Sequence, residues 1–148
     1  AEYVSEIVKS FQEASKKDFI VNYDQNSNPL NITKSIEIVY GLRNFIGNAN
    51  KFSENKIFIN IKSDSDFTEV MIEDDGEGYP KDVLSKIGEP YIKSFKSSIK
   101  SKSGLGLGIF IGKTLLEKNY ANILCRNSQT RSGAEVSIKW KNEDLLKL

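Results

Sequence analysis

The sequence predicts an α+β fold, with helices layered on one mixed, mostly antiparallel five-stranded sheet. Two observations carry most of this. Residues 56–63 (KIFINIKS) and 67–74 (FTEVMIED) alternate apolar and polar residues in twos, and only Asp64, Ser65 and Asp66 separate them, as in a β-hairpin. Residues 3–17 and 33–51 instead space their apolar residues by three and four, the period of a helix with one buried face. The two patterns are interspersed and no segment repeats, which suits a two-layer sandwich around one core.

In chain order, Val4, Ile7, Val8, Phe11 and Ala14 mark a first helix, and FIVNY (19–23) a first strand. DQNSNPLN (24–31) is rich in turn formers. A second helix runs from Thr33, read as its N-cap, to Lys51, with Ile36, Val39, Leu42, Phe45, Ile46 and Ala49 on its apolar side. Gly41 and Gly47 inside it each cost about 1 kcal/mol against alanine, so they imply close packing or close approach of another group. After the strand pair, a short helix follows Pro80 through Val83, Leu84 and Ile87, and a lysine- and serine-rich loop covers 93–103. A third helix opens in the glycine stretch 104–108 and reaches about Lys118. ANILCRN (121–127) and AEVSIKW (134–140) are the last two strands.

At 148 residues, one domain spanning 1–148 is expected, long enough to bury a core without disulfides or metals. A net charge of +1 supplies no basic field for nucleic acid. The single Cys125 excludes an internal disulfide and reads as a core residue of an apolar strand. With no histidine, the chain has no imidazole for acid–base work or metal binding. No apolar run approaches membrane-spanning length, and the start at Ala1 without methionine is expected of an excised domain.

Three stretches carry chemistry. In LRNFIGNANKFS (42–53), Asn44, Asn48 and Lys51 share one helix face. Such a stripe is ordinarily just solvated, but asparagine gains nothing locally in mid-helix. An amide oxygen can ligate Mg²⁺, and a lysine one turn on can meet phosphate. In IEDDGEGYP (72–80), an apolar strand ends in Asp74, followed by Gly76 and Gly78. Alone this reads as a solvated Asp-Gly turn; alternatively the glycines admit a ligand and the acceptor-only carboxylate takes the exocyclic amine of adenine. Guanine would face that carboxylate with an oxygen, a mismatch worth discrimination of about 10⁴.

The third stretch, SKSGLGLGIFIGKT (101–114), is a glycine run before a helix, where unpaired backbone N–H groups suit phosphate. It is no P-loop, because Leu107 stands where the first glycine belongs and Gly112-Lys113-Thr114 lies in mid-helix. It is no dinucleotide fingerprint either, since Ile109 and Ile111 replace the third glycine.

In this order, Asn44-x-x-x-Asn48-Ala49-x-Lys51, Asp74-x-Gly76-x-Gly78 and Gly104-x-Gly106-x-Gly108 resemble the N, G1 and G2 boxes of the GHKL ATPase superfamily, the Bergerat fold. The resemblance covers nearly the whole chain and implies an ATP lid at about 91–103. Superfamily hydrolases resemble E-x-x-x-N at the first box, where glutamate activates water. Asn44 cannot be a base, whereas an imidazole nucleophile already carries its lone pair. The chain therefore resembles the catalytic and ATP-binding domain of a sensor histidine kinase. GEPYIKS (88–94) and GAEVSIKW (133–140) are similar to the RegB/PrrB type, with Tyr91 where most relatives have phenylalanine.

The resemblance implies ATP and Mg²⁺ as cofactors, with Asn48 on the metal, Asn44 in support, Lys51 at the phosphates and Phe52 near base or ribose. Asp74 would take adenine N6 beside Gly76, Gly78 and Tyr79. Gly104, Leu105, Gly106, Leu107 and Gly108 would offer amides to phosphate, and Lys93 would approach the γ-phosphate. The implied partners are a separate dimerisation domain bearing the phosphoacceptor histidine and, through it, a response regulator, with this piece monomeric and cytoplasmic in an inner-membrane sensor. A non-catalytic nucleotide-binding module and a GHL-type ATPase stay open as alternatives.

Overall fold

Ser35 starts the helix that organises the molecule. Its backbone is extended and its Oγ accepts the Ile38 N–H at 3.1 Å, so helix α2 runs Ile36–Phe52. Glu37 in the first turn and Lys51 in the last suit the helix dipole. The cap is therefore Ser35 and not Thr33, which lies outside the described residues. The expected apolar face shifts as well. Ile36 is 75% exposed, while Ile38, Leu42, Phe45, Ile46 and Ala49 are buried. Ile38 stands four before Leu42 and seven before Phe45, in phase with the buried face, whereas Ile36 is out of phase with it.

The computed structural model describes residues 2–13, 15–23, 35–81, 84, 105–128 and 133–145. The lid at 91–103, Lys93 and Gly104 fall outside them, as does most of the short helix after Pro80, of which Leu84 donates its N–H to the Pro80 carbonyl at 3.0 Å. Around α2 stand α1 (Glu2–Gln12), β1 (Asp18–Tyr23), β2 (Lys56–Ser63), β3 (Phe67–Asp74), α3 (Leu105–Lys118), β4 (Asn122–Asn127), β5 (Ala134–Lys141) and the single-turn α4 (Asn142–Leu145). Helix α1 ends at Gln12, short of the expected Lys17, and buries Ile7 and Val8.

The sheet order is β1-β2-β3-β5-β4. β1 and β2 pair in parallel, as α2 crosses over between them, and every other pair is antiparallel. Alternation places Ile57, Ile59, Ile61, Val70, Ile72, Val136, Ile138 and Trp140 on the buried face. On the opposite face Glu69 accepts from Ser137 Oγ at 2.7 Å and pairs with Lys62 at 3.5 Å.

Helices α2 and α3 lie antiparallel over the sheet, and glycine sets their approach. A Cβ at Gly41 would stand 2.5 Å from Leu116 Cγ, and one at Gly112 would stand 2.7 Å from Phe45 Cε2. Both are closer than carbon atoms can come. Gly112 of the Gly-Lys-Thr triplet is thus a packing residue in mid-helix. Gly47 meets only an ordinary contact with Phe11 at 3.5 Å, so close packing accounts for Gly41 and not for Gly47.

Candidate nucleotide site

The last two turns of α2, the end of β3, the segment 76–80 and the start of β5 converge on one cavity lined by Asn48, Phe52, Asp74, Gly78 and Tyr79, with Ile72 and Val136 among its apolar walls. It holds about 20 Å³. That is room for about one water, so a purine enters only if wall side chains move.

Asp74 closes the floor. It ends β3 and is 3% exposed. Its Oδ1 accepts the Gly76 N–H at 2.9 Å and the Ala134 N–H at 3.2 Å. Among the described residues Oδ2 takes no hydrogen bond and is left to serve a ligand. Burial lifts the carboxyl above the usual carboxylate range and neighbouring Asp75 adds to this, while the two backbone donors and the Lys17 ammonium oppose it. A carboxylate sunk in apolar walls with one oxygen to spare is an acceptor for a neutral N–H donor.

Asp75 points the other way. Its Oδ1 accepts the N–H groups of Glu54 at 2.9 Å and Asn55 at 3.0 Å, tying the chain after α2 to the end of β3. Lys17 Nζ, just ahead of β1, donates to the Ser53 carbonyl at 2.7 Å and also to that of Asn50, which secures the same corner.

The glycines of the second motif are explained first by protein contacts. A Cβ at Gly76 would lie 2.1 Å from the Phe52 carbonyl oxygen. Gly78 has φ +84°, and a Cβ there would lie 2.6 Å from Asn127 Oδ1. So Gly76 admits the end of α2, and Gly78 adopts a left-handed backbone beside Asn127. Only Gly78 of the two lines the cavity.

Two residues at this site escape sequence reading. A Cβ at Gly133 would lie 2.0 Å from the Asp74 carbonyl oxygen and 2.2 Å from its Oδ1, so glycine is required for β5 to start against that carboxylate. Asn127, at the end of β4, accepts the Tyr79 N–H at 2.7 Å through Oδ1 and donates Nδ2 to the Tyr79 carbonyl at 3.2 Å. In the sequence Gly133 ends the turn-like SQTRSG and Asn127 is only the last residue of a strand, and strand order alone brings them to Asp74 and Tyr79.

Tyr79 is 6% exposed, and its phenol meets the thiol of Cys125. Burial raises the phenol well above its usual range and pushes Cys125 up to about 12. Cys125 is half-buried against the core and stays a neutral thiol at pH 7.

Asn48 marks the other end of the cleft. Among the described residues its buried Nδ2 has no hydrogen-bond partner, an arrangement that costs about 1–3 kcal/mol. A Cβ at Gly108 would lie 3.1 Å from both amide atoms, so α3 passes close over this side chain. The helix starts at Leu105, which puts Gly106, Leu107 and Gly108 within its first turn, where N–H groups lack intrahelical partners. Asn44 and Lys51 do not line the cavity. Asn44 Nδ2 donates to the Tyr40 carbonyl at 2.8 Å, and Lys51 is exposed, its Nζ 5.4 Å from the Phe52 ring centroid.

A single amide oxygen suits Mg²⁺, which takes few protein ligands and keeps waters or phosphate oxygens for the rest. Among the described residues no three His, Cys, Asp or Glu side chains gather into an all-protein metal cage. The unsatisfied atom is the Nδ2 donor, which suits a phosphate oxygen, while Oδ1 of the same amide is the atom that could ligate a metal delivered with that phosphate.

The profile of the histidine kinase-, DNA gyrase B- and HSP90-like ATPases matches residues 33–144. Sensor histidine kinase RegB of Cereibacter sphaeroides is 34% identical over 131 residues, covering 78% of this chain and 28% of RegB. A putative NtrY-like sensor histidine kinase of Rickettsia prowazekii is 26% identical over 147 residues, 94% of this chain and 23% of that protein. The chain thus spans about a quarter of the length of these relatives. In fold, it is similar to the catalytic domain of histidine kinase ThkA, with a TM-score of 0.73 at 21% identity over 95% of this chain and 92% of that one. Mycobacterial sensor histidine kinase MprB gives 0.71 at 20% identity over 95% and 93%.

Proposed function

From the premise that this chain belongs to the histidine kinase-, DNA gyrase B- and HSP90-like ATPase family, we propose that it is the ATP-binding catalytic part of a sensor histidine kinase. The observation that carries the nucleotide reading is Asp74, a carboxylate 3% exposed with one oxygen held by two backbone donors. Its second oxygen would accept the adenine amine, and the apolar walls around it would exclude competing water. Phe52 and Tyr79 would flank the base beside Gly76 and Gly78.

At the phosphate end, Asn48 would bind the metal, Asn44 would support it, and Lys51 would meet phosphate charge. The first-turn amides of α3, at Leu105, Gly106, Leu107 and Gly108, would hold phosphate together with Gly104, with Lys93 approaching from the lid. Bound Mg²⁺ would supply neutralisation of phosphate charge. The work of these residues is positioning and charge balance, the usual demand of phosphoryl transfer.

The chain contains no histidine, so the acceptor would lie on a separate dimerisation domain. There the bond from the γ-phosphorus to its bridging oxygen breaks, a nitrogen–phosphorus bond forms on imidazole, and ADP leaves. Asn44 supports this over water attack, since an amide cannot take a proton from water and its nitrogen is already committed to Tyr40. Further transfer would pass to a response regulator. No helix among the described residues is long and apolar enough to cross a membrane. We place this domain, as a monomeric unit, on the cytoplasmic side of a bacterial membrane sensor.

The test mixes the chain with γ-labelled ATP, Mg²⁺ and the dimerisation domain of its parent protein. Label on that domain's histidine is the expected result. Tight ATP binding without transfer would leave a non-catalytic binding module, and steady hydrolysis by the chain alone would move it to the hydrolases. Absence of calorimetric heat with ATP and ADP on folded protein would overturn the nucleotide reading itself.

A further inference from the structure

We infer that Asn127 is a positioning residue for the purine: its amide sets the backbone of Gly78 and Tyr79, and so the shape of the base pocket. The inference rests on the nucleotide reading above and extends it to a residue outside the three motifs.

The geometry is a paired contact. Asn127 Oδ1 accepts the Tyr79 N–H at 2.7 Å while Nδ2 donates to the Tyr79 carbonyl at 3.2 Å. A primary amide presents an acceptor and a donor side by side, as a strand backbone does, so one side chain serves both polar groups of one residue. The segment held in this way cannot be held by the sheet. β4 ends at Asn127 and pairs only with β5, while residues 76–80 follow β3 on the far side of β5. The Asn127 side chain bridges that gap.

The held segment is a wall of the cavity. Gly78 and Tyr79 both line it with Asp74. Gly78 sits at φ +84° with Asn127 occupying the space where a Cβ would stand. The Tyr79 side chain is in turn buried and meets Cys125, two residues before Asn127 on β4. Tyr79 is therefore held by β4 through both backbone and side chain. Without the amide, its backbone N–H and carbonyl would turn to water, and Gly78 before it gives the segment other conformations even though Pro80 restricts Tyr79 itself. Only a fraction of molecules would then present the pocket in its binding shape, and apparent affinity falls by that fraction.

Asn127 is itself exposed, so its removal opens no core cavity. The experiment compares wild type, Asn127→Ala and Asn127→Asp for binding of ADP and of adenosine by calorimetry, with thermal unfolding recorded for each. Asn127→Asp keeps the acceptor for the Tyr79 N–H and sets a carboxylate oxygen against the carbonyl. Adenine nucleotide affinity of Asn127→Ala should fall about tenfold, with the same fold-change for adenosine, because the loss lies at the base and not at the phosphates. Asn127→Asp should fall between the two. ADP affinity in folded Asn127→Ala equal to wild type would overturn the inference. So would a loss confined to ADP with adenosine unaffected, or a lowered unfolding temperature with unchanged affinity, which marks a merely structural residue. Failure of wild type to bind either ligand would reject the nucleotide reading, a separate result from any difference among variants.

Discussion

At the Asp74 end of the cleft, the carboxylate is clamped by two backbone N–H groups, Gly133 lies against it, and Asn127 bonds the backbone of Tyr79 in the adjoining wall. At the other end Asn48 has a buried nitrogen with no partner among the described residues, and Lys51 lies out on the helix surface. At one end the protein holds one carboxylate oxygen and leaves the other for a ligand. The opposite end holds an unsatisfied polar group that a ligand could satisfy. The difference teaches where preorganisation is cheap. A neutral, flat ring needs only apolar walls that part to admit it and one carboxylate already held in place. Phosphate and metal carry large charges, and a fully built counter-charge site would be costly to keep buried while empty.

The contrast can be broken most forcefully at Gly133. In Gly133→Ala the new methyl carbon would need the space of two Asp74 oxygen atoms. Chemical denaturation should show a loss of about 3 kcal/mol, and nucleotide affinity should collapse with it. If alanine is accepted with unchanged stability, the Asp74 end is pliable and not tightly packed.

Asp74→Asn comes next. An asparagine has one acceptor oxygen and must either abandon the Gly76 and Ala134 donors or turn its NH₂ toward the ring. Adenine nucleotide affinity should drop about 100-fold by calorimetry. The same residue carries a pH signature. Its folded carboxyl titrates above the ordinary value, chiefly through burial, so the folded state binds the proton more tightly than the unfolded chain. Ionised Asp74 therefore costs stability at neutral pH, and that cost is relieved as pH falls through the raised value. Nucleotide affinity should weaken over the same window as the acceptor is lost. In Asp74→Asn both trends should be absent, and a pH profile identical to wild type would place the titrating group elsewhere.

Asn48→Ala sharpens the comparison from the other end and should have the smallest effect on the fold. It removes an unpaired buried amide, so stability should hold or rise by up to about 1 kcal/mol. Mg²⁺-dependent strengthening of ATP binding should disappear, while adenosine binds as before. Loss of adenosine binding in this variant would show that the two ends are not separable.

Much of this architecture is legible in the chain. The period-two runs at 56–63 and 67–74 became β2 and β3, and the helical runs became α1 and α2, because alternation and three-four spacing follow from backbone geometry alone. The three motifs likewise pointed to Asn48, Phe52, Asp74 and Gly78, which the fold gathers at one cavity. The start of α2 was misplaced at Thr33, although serine is the better N-cap of the two and Ser35 takes the role through its Oγ and the Ile38 N–H.

What no local pattern contains is the closure of the site. Asn127 and Tyr79 are separated by 48 positions and Asp74 and Ala134 by 60, and each pair meets because β5 inserts between β3 and β4. The glycines at 76, 78 and 133 were open to several readings in the sequence, and the structure settles what each one touches. Residue order decides helix, strand and the types of side chain on offer, since those depend on neighbours along the chain. Which amide meets which carboxylate depends on strand order, a property of the packed sheet as a whole.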